Sequence, residues 1–180
     1  MQLRTLEIPG PVVVEARLLT DDRGFFARTF DREEFLAAGL EPPVAQANMA
    51  YTERAGTLRG MHYQVHPAPE AKLVRCTRGA VHDVAVDMRP GSPTYLRHVA
   101  VRLDEDNRLA LYVPPMFAHG YLTLADRTEL VYQVSAPYTP EAERGLRYDD
   151  PALGIPWPAP VTVVSDKDRQ WPLLNGTGGL

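Results

Sequence analysis

Residues 58–90 read LRGMHYQVHPAPEAKLVRCTRGAVHDVAVDMRP. Three short apolar and β-branched runs, 58–64, 72–78 and 80–88, lie between turn formers. Pro67 and Pro69 separate the first two, Gly79 the next two, and Arg89-Pro90-Gly91-Ser92 closes the third. Runs of this length bounded by Pro and Gly are strands, not helices. Outward from this stretch the same texture continues. Further strands are predicted over 12–19, 46–51, 96–103, 109–113, 121–124 and 129–135, with a weaker one over 162–165. Turn signals at Asp104-Glu105-Asp106-Asn107 and Ser135-Ala136-Pro137 separate several of them. Roughly ten closely spaced strands are the pattern of a β-sandwich or barrel. One helix is predicted near the front, capped by Asp31, with Glu33 and Glu34 at its positive end and Gly39 closing it. A second short helix follows Ser165, because Ser165-Asp166-Lys167-Asp168 has the spacing of a capping box.

The composition agrees. The chain has 180 residues, 44% hydrophobic and 23% charged, which is globular and expected to form one domain over 1–180. It contains 17 prolines, nearly double the usual ~5%, and proline interrupts helices and central strands. The net charge of −4 disfavours a nucleic-acid partner. A single cysteine, Cys76, excludes an intrachain disulfide and a cysteine zinc site. No apolar run reaches the ~20 residues that span a bilayer, so no membrane association is expected. The start, MQLRTLEIPG, lacks the plan of a signal peptide, and a cytoplasmic protein is predicted. The tail over about 173–180 is expected to be flexible.

Several residues have the chemistry of a site, each with a plainer reading beside it. His62 is followed by Tyr63 and Gln64, so the two histidines one residue apart that mark a metal-binding barrel are missing, and no metal is expected. His62 is a polar strand position or a proton carrier. Lys72 shares a strand face with Val74 and Cys76; it snorkels out or serves a site. Asp83, Ala85 and Asp87 share another face, either a solvated outer wall or a polar cavity wall. His119 lies between Ala118 and Gly120 in an expected turn, where a ligand could approach the backbone closely. Tyr132 is a core tyrosine or an acid, and Arg23, in Asp22-Arg23-Gly24, is a phosphate contact or a surface turn.

Together these residues resemble a known family. Asp22-Arg23-Gly24-Phe25-Phe26, Gln46-Ala47-Asn48, Leu58-Arg59-Gly60-Met61-His62-Tyr63-Gln64, Lys72-Leu73-Val74-Arg75-Cys76, Asp83-Val84-Ala85-Val86-Asp87, Phe117-Ala118-His119-Gly120-Tyr121 and the segment DDPALGI over 149–155 look like the dTDP-4-dehydrorhamnose 3,5-epimerases, in order from about residue 4 to 174. The resemblance implies an all-β, cupin-like antiparallel barrel (jelly roll) with a few short helices, no cofactor, and a homodimer. It implies a nucleotide-linked 4-keto-6-deoxyhexose as substrate, deprotonated beside its ketone and reprotonated on the other face. His62 would be the base, Asp168 its orienting carboxylate, Lys72 the enolate stabiliser and Tyr132 the acid. Arg23, Gln46, Asn48, Arg59, His119, Glu143 and Lys167 would contact the nucleotide sugar, and Tyr138 would stack on the base. A relative that inverts only C3 or only C5, and a silent sugar-nucleotide-binding cupin, are the alternatives.

Three features depart from the family pattern. Arg28 stands where an acid is usual. The loop after Asn48 reads Met49-Ala50-Tyr51-Thr52 and is one residue longer before Gly56. Arg59 and His62 have opposite parity on an ideal strand, which a bulge at Gly60 would reconcile.

Overall fold

The computed structural model describes residues 1–174. The predicted flexible tail lies mostly outside these residues. Fourteen strands form in chain order: β1 (Gln2–Thr5), β2 (Val12–Glu15), β3 (Leu18–Asp21), β4 (Gly24–Ala27), β5 (Gln46–Thr52), β6 (Thr57–Gln64), β7 (Lys72–Arg78), β8 (Ala80–Asp87), β9 (His98–Asp104), β10 (Ala110–Val113), β11 (Phe117–Thr123), β12 (Thr128–Val134), β13 (Glu143–Gly145) and β14 (Val163–Val164). One sheet has the order β1-β2-β10-β7-β12-β5, the facing sheet β13-β6-β11-β8-β9, and β14 joins β6 in parallel. Apart from β1–β2 and β8–β9, strands paired in the two main sheets are distant along the chain, so the pairing is the jelly-roll kind of closure. No helix among the described residues is long and apolar enough to cross a membrane.

The core follows strand alternation. Val74, Cys76, Leu111, Val113 and Leu130 of the first sheet meet Val81, Ala85, Val99, Leu103, Phe117 and Tyr121 of the second. Each sheet has a second cover on its outer face. Phe35, on helix α1 (Arg32–Ala37), packs with Val12, Val14, Leu73 and Tyr112. Leu146, Leu153 and Trp157 lie over Met61, Tyr63, Val84 and Val86. Burying such side chains contributes about 1.5–3 kcal/mol each. Asp31 caps α1, accepting from the backbone N–H of Glu33 and Glu34 at 3.0 and 3.2 Å, and Gly39 closes it with φ +73°.

Two expectations change. The strand predicted over 12–19 is two: Val12–Val14 are buried between β1 and β10, after which the chain leaves the sheet. The continuation, β3, pairs among the described residues only with β4, as a projecting hairpin with exposed Leu18, Leu19, Phe25 and Phe26. Apolar content is the same in both halves, so the local pattern does not show the break. The segment 49–52, which departs from the family pattern, continues the strand predicted over 46–51: it is paired along its length with β12, and the turn begins only at Glu53. His119 sits in mid-strand rather than in a turn. Its small neighbour serves packing: a Cβ on Gly120 would fall 2.6 Å from Met61 Sδ and 2.9 Å from the Arg59 carbonyl oxygen.

The bulge expected at Gly60 is present. His119 pairs with His62, but Tyr121 pairs with Arg59, so three steps on β6 match two on β11. Gly60 has φ +115°, and a Cβ there would lie 2.6 Å from Gly120 Cα.

Candidate active site

The extra residue at the bulge turns Arg59 and His62 into one cavity of about 500 Å³ at the mouth of the barrel. Lys72 and Tyr132 line it from the other sheet, with His119, Lys167 and Asp168. It continues into a cleft of about 330 Å³ that shares His62, Lys72, Tyr132 and Lys167 and adds Gln46, Asn48, Glu70, Tyr138 and Glu143.

His62 is 31% exposed and Asp168 5%. The His62 Nε2 lies 2.6 Å from Asp168 Oδ1, while Asp168 Oδ2 accepts the Gly60 N–H at 3.1 Å. Asp168 is placed by helix α2 (Asp166–Arg169), whose cap Ser165 accepts the Asp168 N–H at 3.1 Å. Burial pushes the Asp168 carboxyl up. The hydrogen bond and charge of His62, with the Gly60 and Ser165 contacts, outweigh burial and hold it below its ordinary value. An ionised Asp168 accepts, so Nε2 carries the imidazole proton and Nδ1 keeps a free lone pair.

Lys72 and Tyr132 are diagonal neighbours on adjacent strands, since Val134 pairs with Lys72 and Tyr132 with Val74. The Lys72 side chain is 12% exposed, and its ammonium meets Glu70 at 2.9 Å. Burial, and next the charge of Glu70, raise the Tyr132 phenol above its ordinary value, opposed by Arg59. It therefore holds its proton at neutral pH. His62 stands on β6 and Tyr132 on β12, so the imidazole and the phenol come from opposite sheets.

The residues expected to bind substrate divide. Arg59 is held by Thr52 Oγ1 at 3.2 Å and the Tyr51 carbonyl at 3.1 Å. In the cleft Lys167 Nζ donates to both Glu143 oxygens at 2.7 Å, and the Tyr138 hydroxyl donates to Glu143 at 2.9 Å. Burial raises the Glu143 carboxyl, but these two partners outweigh it and lower it. Gln46 and Asn48 sit on β5 at the cleft rim. His119, which lines the cavity, is paired with Asp83; Asp83, Ala85 and Asp87 are fully buried, so that face is turned into the interior, neither a solvated wall nor itself part of the cavity lining. Arg23 is elsewhere: it sits 90% exposed at the hairpin tip, paired with Asp21 at 2.5 Å, and touches neither cavity of its own chain. The reason is that the hairpin projects from the barrel instead of folding over it. Arg28 bonds the cap residue Asp31 at 3.1 Å and is likewise outside the site.

Three residues escaped the sequence reading. Glu70 stands two positions before Lys72, the spacing that puts side chains on one side of an extended chain, and that was its only signal. Tyr121 lines the cavity with its phenol pushed up to about 12 by burial. Trp171 meets the His62 ring edge-to-face at 6.5 Å and fills the space above Gly145, where a Cβ would fall 2.0 Å from its ring. Nothing local marks it, because it arrives from the far end of the chain.

The family model of dTDP-4-dehydrorhamnose 3,5-epimerase matches residues 5–176. The chain belongs to this family. It is a carbohydrate epimerase, an isomerase, on the cupin-like barrel of its relatives. A dTDP-4-dehydrorhamnose 3,5-epimerase of Sinorhizobium fredii is 43% identical over 175 residues, covering 97% of this chain and 90% of the relative. The crystal structure of the Bacillus anthracis epimerase, with TDP and PPi bound, superposes with TM-score 0.91 at 37% identity, covering 96% of this chain and 99% of that one. A 3′-monoepimerase from Streptomyces bikiniensis, in complex with dTDP-quinovose, superposes with TM-score 0.87 at 38% identity, covering 94% and 86%.

Proposed function

We propose that this epimerase inverts C3 and C5 of a dTDP-linked 4-keto-6-deoxyhexose, in dTDP-rhamnose-type deoxysugar synthesis in the cytoplasm. The observation that carries the reading is the His62–Asp168 pair facing Lys72 and Tyr132 across one cavity. Protons beside a ketone are acidic because the resulting carbanion is an enolate. His62 Nδ1 removes the proton, a step for which a positioned base contributes ~10²–10⁴-fold. Asp168 holds the tautomer and stabilises the imidazolium that forms. Lys72 meets the oxyanion with a fixed positive charge in a site that excludes most water. Tyr132 returns a proton to the opposite face of the carbon, because it stands on the opposite sheet. One pair of groups serves both carbons when the sugar ring re-seats between steps.

Arg59 contacts the diphosphate, and Gln46, Asn48, Tyr138, Glu143 and Lys167 the nucleotide end, with Tyr138 stacking on the base. His119 is the sugar contact beside His62. Arg23 completes the site of a second copy. Its place on an exposed hairpin with four exposed apolar side chains supports this, and so does the edge strand β1. A homodimer of twice the 20.0 kDa chain mass follows, measurable by light scattering. A monomer at micromolar concentration refutes it.

The function is tested by NMR in heavy water with a dTDP-4-keto-6-deoxyglucose substrate. Deuterium enters C3 and C5 with inversion at both, and His62→Ala stops exchange at both. Exchange confined to one carbon favours the single-position reading, which the likeness to a 3′-monoepimerase keeps specific. Exchange at either carbon in His62→Ala shows a second base.

A further inference from the structure

The Lys72 side chain is almost closed off from solvent, and its ionic partner among the described residues is Glu70, whose side chain is 10% exposed. Glu70 is not part of the reaction as described above, yet it lines the same cleft as His62, Lys72 and Tyr132. Its backbone is pinned on both sides. The next residue, Ala71, donates its N–H to Ser135 Oγ at 2.8 Å and accepts from the Ser135 N–H at 3.0 Å. Gln64, whose side chain is buried, donates to the Ala68 carbonyl at 2.8 Å. The carboxylate is therefore presented from a fixed point, at the foot of β7, against a lysine whose four-carbon stem is otherwise free to swing.

We propose that Glu70 is a positioning residue that anchors the Lys72 ammonium where the substrate's enolate oxygen forms. The inference rests on the reading of Lys72 as the enolate stabiliser. A point charge on a flexible stem stabilises an oxyanion only if it is already in place when charge develops, since reorganising it during the step forfeits the gain. Glu70 provides that fixed point without facing the reacting carbons itself. The carboxylate also acts on Tyr132, whose phenolate form its charge opposes. The other ionisable groups lining the two cavities with this pair are Arg59, His62 and Tyr63 from β6, His119 and Tyr121 from β11, Tyr132 from β12, Tyr138, Glu143 from β13, and Lys167 and Asp168 from α2. Arg59 acts on Tyr132 in the sense opposite to Glu70. Glu143 and Lys167 are paired with each other.

The test compares Glu70→Ala, Glu70→Gln and Lys72→Met, singly and combined, in the full chain. Misplacing a catalytic charge costs up to ~10²-fold. Glu70→Ala is expected to lower kcat by roughly 10- to 100-fold with KM changed less than about threefold. Glu70→Gln keeps an acceptor for Lys72 and recovers most of that kcat. Its high-pH limb moves to lower pH, because Tyr132 must be protonated to act and loses the neighbouring charge that favours protonation. In a Lys72→Met background Glu70→Ala costs nothing further, as expected of a residue that acts through Lys72. A parental kcat in Glu70→Ala overturns the proposal, and so does an equal loss with and without Lys72. A Glu70→Gln variant with an unmoved pH profile overturns the charge effect. If Lys72→Met alone keeps the parental kcat, it is the reading of Lys72 that falls.

Discussion

Asp168→Asn removes one charge and almost no volume, yet the geometry predicts that it disables the enzyme more than Asp168→Ala. Asp168 accepts two hydrogen bonds, from His62 Nε2 at 2.6 Å and from the Gly60 N–H at 3.1 Å. An asparagine has one oxygen and one NH₂ in those places. The Gly60 amide can only donate, so the oxygen must face Gly60 and the NH₂ must face His62. His62 Nε2 is then forced to accept, and the ring proton moves to Nδ1, the nitrogen that should take the substrate proton. The opposite flip sets an NH₂ against the Gly60 N–H in a buried place, a donor left unsatisfied at about 1–3 kcal/mol. Losing a correctly protonated base costs ~10²–10⁴-fold, about 3–5 kcal/mol of barrier. The wrong-tautomer loss in a serine-protease triad is at the upper end of that range. Asp168→Ala loses the charge but leaves His62 free to adopt either tautomer, so it retains about tenfold or more activity over Asp168→Asn. The assay is the rate of deuterium entry at C3 and C5, alongside thermal unfolding of each variant. An Asp168→Asn enzyme as active as Asp168→Ala, or within tenfold of the parent, refutes the tautomer argument.

Tyr132→Phe separates abstraction from return: deuterium exchange continues through His62 and Lys72 while inversion falls by ~10²-fold or more, and inversion at the parental rate would make Tyr132 a packing residue only. Gly60→Ala places a Cβ 2.6 Å from Gly120 Cα and 2.7 Å from the His119 carbonyl oxygen at φ +115°. It is expected to cost more than about 3 kcal/mol in denaturant unfolding and to abolish activity. Asp87 is fully buried; burial raises its carboxyl, but Arg89, Ser92 and Thr94 outweigh that and depress it strongly. Its stabilisation is present above the ordinary value of 3.8 and is lost as pH falls toward the depressed folded value. Asp87→Asn should therefore destabilise by on the order of 2 kcal/mol at pH 7, with the difference from the parent narrowing in thermal melts below about pH 4.

Most strands of the two main sheets and the caps at Asp31 and Ser165 were legible in the chain because each depends on residues a few positions apart; β1, β4 and β13 were not predicted. Strand 72–78 begins and ends where predicted, since Pro69 and Gly79 bound it. The alternation of Lys72 with Val74 and Cys76 put the lysine in register with core residues, and, given the family roles of Arg59 and His62, their opposite parity called for an extra residue between them. The family motifs carried the roles of His62, Lys72, Tyr132 and Asp168 as expectations. Local pattern had nothing to say where the partner is distant. His62 and Asp168 are 106 positions apart, and only the passage of the last segment beside β6 brings them to 2.6 Å. Trp171 reaches the His62 ring by the same route. The closing of two sheets face to face decided that Asp83 is walled in and that Tyr132 confronts His62. Tertiary structure likewise carried Arg23 out of its own cavity, because a four-residue hairpin strand has the same apolar and β-branched look whether it folds over the barrel or projects from it. Alternation records which side of a strand is buried; it holds no record of what is buried against it.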